Sequence, residues 1–455
     1  MISFSCCLNR RFQIAVACCL LLVAAEGGVL AANNAPVHLF GPQLLLSPAQ
    51  TGGPKIAIFP VQNMSGMPAP SREIDLEIAA LVEQTGARLV SRAEVEQFRE
   101  RHWVRQVGYI DEQTAELLRR ETGADAILLS NIEVFKEDDN PHFSLFSRLV
   151  TTDRQPRIIW MESASLIGDE NPGVLGLGLI SDARRLRGIV MEQICSSLRN
   201  FITAPPIRRL LPLASEVREQ TPYSLTEQIS KITASRAFSP QGPVEDRITG
   251  ERSETLAEFL KTVSSFGGLL GSRYTPQEWF GSKEVSNDLQ RSIAIVPFIN
   301  LSTRKNAAEL LELHLAKQLV SNGVFFVLEL GVVRDKLIKM HIVMDEGISV
   351  PSIDALTIAM NVDFIMDGKV FDYTESAGQT ATPLLDFYVQ MFERDTRRIL
   401  WSSYSHNRGD DGVYFYDVNR ISTASTLADL MSRDLVQKLF EFTTLKQDYI
   451  ISNQH

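Results

Sequence analysis

A ten-residue phrase occurs twice in this chain, and that repetition limits its fold more than any other feature. Ile56-Ala57-Ile58-Phe59-Pro60-Val61-Gln62-Asn63-Met64-Ser65 returns as Ile293-Ala294-Ile295-Val296-Pro297-Phe298-Ile299-Asn300-Leu301-Ser302, with six of ten positions identical at an offset of 293 − 56 = 237. Gly86 and Gly323 keep that offset. Trp160 and Trp401 each precede a Gly-Asp pair, Gly168-Asp169 and Gly409-Asp410, at an offset of 401 − 160 = 241. Four residues gained between the markers are what loop insertions in a duplicated domain leave behind. A duplicated fold gives no preference to a mechanism that needs one special site.

Each copy opens on a short apolar run closed by Pro60 or Pro297, the pattern of a strand covered on both faces whose ladder ends where proline has no N–H. Asn63 and Asn300, with Ser65 and Ser302, supply the oxygens that loops and helix starts use. A helix follows, with Ile74, Ile78 and Leu81 as its apolar stripe in the first copy and Ala308, Leu311, Leu315 and Leu319 in the second. Gly86 and Asn322-Gly323 stop these helices. The spacing then predicts a second strand (88–90, 325–327), polar helices including 114–120 and 353–360, and a third strand (126–132, 364–370) beginning just after Asp125 or Asp363. A hairpin (145–150 with 158–166, 387–392 with 399–404) and a closing helix (184–201, 427–442) complete each copy. The expected fold is α/β: two tandem three-layer domains, 55–203 and 291–443, each with a mixed sheet of about five strands. A partly helical linker, 204–290, joins them, and a tail covers 444–455.

The chain of 455 residues has ordinary globular composition, with 44% hydrophobic and 22% charged residues. A net charge of −10 argues against nucleic acid, whose phosphates bind clustered Lys and Arg. Arg10 and Arg11, the apolar run 12–25 and the small residues near Ala25, Ala31 and Ala32 read as a cleaved export signal over 1–32, followed by an extended segment 33–54. Ala15-Val16-Ala17 before Cys18 faintly resembles a lipoprotein box, so lipidation and peripheral membrane association are open alternatives. No later run is long enough for a transmembrane helix. Cys195 is the one cysteine beyond this segment and falls on the apolar side of a helix, as a small core residue does.

The Ile-Ala-Ile-x-Pro-x-x-Asn-x-Ser start, Gly-Ala-Asp-Ala-Ile at 123–127, Val-Asp-Phe-Ile-x-x-Gly at 362–368 and the Arg-Ile-x-Trp strands resemble the TolB amino-terminal domain and the related curli-export (CsgG-like) superfamily. That superfamily includes LpoB-type and PelC-type envelope proteins. The resemblance covers 55–200 and 291–442, about two-thirds of the chain. It implies a periplasmic or outer-membrane-associated protein without catalysis that works by binding envelope partners and by self-association. The chain departs from the pattern in lacking propeller repeats and evident membrane hairpins, and Ser130 stands where Gly368 keeps the family's glycine.

Candidate chemistry is sparse. The seven histidines form no metal-ligand spacing, and His314 reads as a half-buried surface residue beside its helix stripe. Glu137-Asp138-Asp139-Asn140 could offer oxygens to a cation but reads first as a hairpin turn. Gly173-x-x-Gly176-x-Gly178 lacks the context of a phosphate loop, and Arg408-Gly409-Asp410 is the repeat's own turn. Asp125 and Asp363 fit the capping of loose N–H groups, and Trp160 and Trp401 fit sheet anchors. No catalytic residue, cofactor or metal is expected. The expected role is an exported adaptor or assembly factor, with a two-lobed periplasmic solute-binding protein as the alternative.

Overall fold

The computed structural model describes residues 53–169, 179–204, 273–281, 291–344, 347–375, 382–411 and 420–452, with side chains described as far as Phe440. The export signal with Ala25, Ala31 and Ala32, Cys18, the glycine run 173–178 and most of the 204–290 connection lie outside the described residues.

The first copy runs β1 (Lys55–Ile58), β2 (Gln62–Asn63), α1 (Ser71–Glu83), β3 (Arg88–Leu89), α2 (Arg92–Arg101), α3 (Glu112–Thr122), β4 (Ala126–Lys136), β5 (His142–Thr151), β6 (Ile158–Ile167) and α4 (Ala183–Thr203). The second begins with an added strand β7 (Glu278–Gly281), then β8 (Arg291–Ile295), β9 (Ile299–Asn300), α5 (Ala307–Asn322), β10 (Phe325–Val327), α6 (Leu330–Lys339), α7 (Val350–Met360), β11 (Phe364–Thr374), β12 (Leu384–Glu393), β13 (Ile399–Arg408) and α8 (Ala424–Ser452). Sheet 1 has the order β3-β1-β4-β5-β6 and sheet 2 the order β10-β8-β11-β12-β13-β7. In both, the first strands pair in parallel and the last three form an antiparallel meander. Pro60 and Pro297 interrupt their strands instead of ending them. The missing N–H breaks the ladder for a few residues, and β2 and β9 resume pairing with β4 and β11.

The repeat extends to single hydrogen bonds. Val61 N–H donates to Asp75 at 2.7 Å, and its counterpart Phe298 N–H donates to Glu312 at 2.9 Å. Asn63 and Asn300 each accept from a serine N–H two residues on and donate from Nδ2 to a loop carbonyl, closing identical turns. Asp125 accepts from Lys55 N–H and Asp363 from Ser292 N–H, both at 2.9 Å, so each carboxylate pins the start of its central strand to the first strand. Gly86 and Gly323 sit at φ 85° and 72° after α1 and α5, where a Cβ would be strained. Trp103 and His341, at φ 55° and 54°, mark the ends of α2 and α6 in the same way.

Trp160 and Trp401 are about 1% and 0% exposed, on the faces of their sheets that pack against α4 and α8. Helices α1 and α4 cover one face of sheet 1 through Ile74, Ile78, Val190 and Ile194. The other face joins sheet 2, α5 and α8 in one core that includes Phe146, Met161, Leu313, Leu315 and Met431. Helices α6 and α7 cover the β8–β10 end of sheet 2's far face through Val332, Leu337, Ile353 and Leu356.

Candidate functional site: a charged joint and the face beside it

The sharpest difference between the copies lies in one strand. All ten residues of β5 are buried, whereas its counterpart β12 alternates between buried and half-buried positions. The reason is packing: β5 has helices on both faces, α1 and α4 on one and the second copy's α5 and α8 on the other. On β12, Leu385, Phe387, Val389 and Met391 face that shared core, while Asp386, Tyr388 and Gln390 point away from it.

Charged and polar groups are buried where the copies meet. Arg148 on β5 and Glu329 before α6 have 0% exposed side chains and form a two-pronged pair at 2.8 and 3.0 Å. The same guanidinium donates to Asn131 Oδ1 at 2.8 Å and to the Gly108 carbonyl, so its fork is filled. Tyr109 lies under both Arg148 and Arg334, 5.2 and 3.9 Å from its ring centre. Arg334 holds Glu312 at 2.9 Å; burial pushes Glu312 up to about 7 against the pull of that cation and of the Phe298 N–H. Lys336 reaches Glu112 at 2.6 Å across the same joint.

A second cluster centres on His314 of α5. It is 0% exposed, with Phe146 of β5 edge-on to its ring at 4.7 Å. The sequence suggests a half-buried surface residue because only the α5 stripe facing its own sheet is legible. The first copy covers α5's other side, and its helix is buried nearly all round. His314 lies 3.8 Å from both Glu133 and Asp429, distances of charge contact and not of hydrogen bonding. Burial alone would push the imidazole down, and the two carboxylates outweigh it, so its pKa is raised. Glu133 accepts from Tyr373 Oη at 2.6 Å and Ser144 Oγ at 2.8 Å. Burial would raise this carboxyl, but His314 and Arg304 hold it well below the usual range. Beside it, Lys317 joins Asp429 at 2.8 Å, Glu162 at 3.1 Å and Ser163 at 2.9 Å. Arg148, His314, Lys317 and Arg304 thus meet Glu329, Glu133, Asp429 and Glu162, which is the pairing buried charges require. Of these residues only His314 is singled out by the sequence, and there as a surface residue; the others have their partners on the other copy or far along the chain.

Gly331 sits against the first copy's backbone, where a Cβ would come within 2.4 Å of the Ile110 carbonyl. Gly331→Ala is therefore expected to cost about 1–3 kcal/mol, read as a lowered urea midpoint with an unchanged slope. Gly368 is hemmed in likewise by the Tyr388 carbonyl at 2.6 Å, whereas its counterpart Ser130 has room and bonds Ser147 at 2.9 Å.

The other sequence candidates are placed as follows. Residues 137–141 form the β4–β5 turn, with Asp138 accepting from Asn140 N–H and Glu137 3.8 Å from Arg187. Arg408, Gly409 and Asp410 close β13, with Arg408 3.8 Å from Asp410. Among the described residues no group of three or more His, Cys, Asp or Glu could hold a metal ion, and no helix is long and apolar enough to cross a membrane. Cys195 is buried beside a small apolar void lined by Ile78, Trp160 and Met191. Burial, with Glu192 nearby, pushes its thiol up to about 12. Its expected behaviour is silence toward thiol reagents at pH 8, with labelling appearing only as urea unfolds the chain.

Among the described residues, none covers the far face of sheet 2 along β11–β13. Phe371 is 41% and Phe280 56% exposed, and between them Tyr388, Tyr404, Asp386 and His406 are half-buried or exposed. Asp386 accepts from Tyr404 Oη at 3.1 Å and contacts His406 Nδ1 at 3.2 Å. On the far side of sheet 1, the outer surface of α1 and α4 is also open, with Leu76, Ala80, Arg184, Gly188 and Ile189 exposed.

No family model matches the chain, and no curated protein does. Among solved structures it is similar to the PelC dodecamer from Paraburkholderia phytofirmans, at 13% identity over 36% of this chain and 94% of that one, with a TM-score of 0.26. It is also similar to the lipoprotein GNA1162 from Neisseria meningitidis, at 23% identity over 32% and 98% of the two chains, with a TM-score of 0.24. A third is the LpoB C-terminal domain from Salmonella enterica, at 16% identity over 29% and 94%, with a TM-score of 0.22.

Proposed function

We propose that this chain is a non-enzymatic, exported cell-envelope protein, an adaptor or assembly factor for the export or assembly of a surface structure or polymer. It acts through protein contacts made by two tandem domains, 55–203 and 291–443, in the periplasm and with self-association. The observation that carries the reading is the joint: the two copies close on each other through a continuous core and paired charges, and broad helix and sheet faces remain outside. The export-type N-terminus over 1–32 supports the location, and the duplicated opening motif supports the class. Crosslinking and pull-down from envelope fractions test it; a cytosolic monomer that captures nothing refutes it. Mass spectrometry of the mature N-terminus reads the cleavage site and any lipid on Cys18.

The two-lobed solute-binding alternative needs a cleft that opens and closes between the copies. That place is filled by Phe146, Met161, Leu313 and the Arg148–Glu329 pair, which weighs against a hinge. A melting screen with small-molecule ligands separates the two, since only the alternative expects ligand-dependent stabilisation.

A further inference from the structure

We propose that the open face of sheet 2 receives the α1/α4 surface of a second copy of this chain, in the same manner as sheet 1 receives α5/α8 within one chain. The inference deepens the self-association part of the function proposed above. The internal joint is made of unlike surfaces, a sheet face from the first copy and a helix layer from the second. A contact between unlike surfaces leaves one of each unused, and in a duplicated fold the unused pair is related to the used pair by the repeat.

The repeat says which side chains would meet. Inside the chain, Ser144 Oγ lies 3.1 Å from Ser425 Oγ, Ser165 Oγ lies 3.5 Å from Thr423 Oγ1, and Lys317 Nζ donates to Ser163 Oγ at 2.9 Å. Strand registers carry Ser144, Ser163 and Ser165 onto Asp386, Tyr404 and His406, because Ser144 pairs with Ser165 as Asp386 pairs with His406. Thr423, whose hydroxyl accepts from Thr426 N–H at the start of α8, corresponds to Asp182, the N-cap of α4, so Ser425 corresponds to Arg184. Lys317 corresponds to Ala80 by the 237-residue offset.

Carried to a second molecule, the three contacts become Asp386 with Arg184, His406 with Asp182 and Tyr404 with Ala80. The first is a pair of opposite charges, the second sets an imidazole against a carboxylate that can accept its N–H, and the third sets a large ring against a small side chain where the internal joint sets a long lysine against a serine. The Arg184 side chain is 80% exposed and His406 46%, Asp182 and Ala80 are exposed, and Asp386 at 19% and Tyr404 are half-buried on the sheet face. Leu76, 55% exposed, would enter as its counterpart Leu313 enters the internal joint, where Leu313 is 0% exposed. Surfaces of this kind joined head to tail close into a ring or grow as a chain, according to the rotation at each step.

The test uses the full mature chain in sedimentation velocity, with urea unfolding confirming that each variant folds. Wild type is expected to associate with concentration. D386R and R184D should each weaken that association about a hundredfold, because each sets like charges opposite one another. Mixing the two variants should restore it, since the swapped charges then face each other at one junction and the original pair at the next. A wild type monomeric at roughly 0.1 mM, where specific assemblies persist, overturns the proposal. So does a single variant that associates like wild type, or a mixture that stays apart. Association that survives both variants, together with envelope partners in pull-down, sinks this face while leaving the proposed function standing.

Discussion

Replacing Glu329 with alanine is expected to remove about 3–5 kcal/mol of stability. Its carboxylate is the only acid within reach of the Arg148 Nε and Nη2 hydrogens among the described residues, and both side chains are fully buried. The loss comes less from the attraction forgone than from a guanidinium left charged and dry. Because the pair bridges the copies, unfolding should lose its two-state character, with the near-ultraviolet signal of the packed joint falling before the far-ultraviolet signal of the sheets and helices. Urea unfolding followed by near- and far-ultraviolet circular dichroism reads both effects. Arg148→Met combined with Glu329→Leu should recover part of the loss, since the apolar pair needs no partner while the Gly108 carbonyl and Asn131 Oδ1 lose a donor. A double variant no better than Glu329→Ala would show that packing, and not charge, sets the cost.

Glu133→Gln is expected to cost about 3 kcal/mol and to flatten the pH dependence of stability on both sides of a window. The lowered Glu133 carboxyl stabilises the fold above its usual value of 4.5, and this is lost as pH falls toward its folded value. The raised His314 works oppositely: its contribution is complete below its usual value of 6.5 and is lost as pH rises through its folded value. Both terms are complete only between about 4.5 and 6.5, so the joint is tightest in mildly acidic solution. With glutamine at 133, the acid arm shrinks to what the likewise lowered Asp429 carboxyl provides, and the alkaline arm to what Asp429 alone gives His314. Chemical denaturation at half-unit intervals from pH 4 to 9 checks it. A variant whose profile parallels the wild type would exclude Glu133 as the source.

The element order was legible because it rests on local signals: apolar runs, prolines, Gly86 and Gly323, and a phrase written twice. Boundaries were less so. The hairpin strands β5 and β12 extend beyond the most alternating stretch, since ladder pairing continues through residues whose side chains are polar. Strand β7 lies inside the expected linker, because its four residues, Glu-Trp-Phe-Gly, carry no alternation; Trp279 belongs there by stacking on Trp401 at 5.3 Å. The joint was not legible at all. Arg148, Glu133 and Lys317 look like ordinary charges on a strand or helix until the other copy, 150 or more residues away along the chain, is packed against them. What could have pointed to it is α5 itself: Leu310, Leu311, Leu313, Leu315 and Ala316 leave it no consistently polar side, the mark of a helix enclosed by protein.

The contrast between β5 and β12 bears on how this molecule could be divided. Cutting it between the two sheets would uncover Phe146, Met161, Arg148 and Glu133 on one fragment and Leu313, His314 and Lys317 on the other. Neither fragment is expected to be soluble when expressed by itself, although each keeps a whole sheet with its own helices. A fold written twice along the chain is thus expected to behave as a single inheritance, each half serving as the other's missing wall.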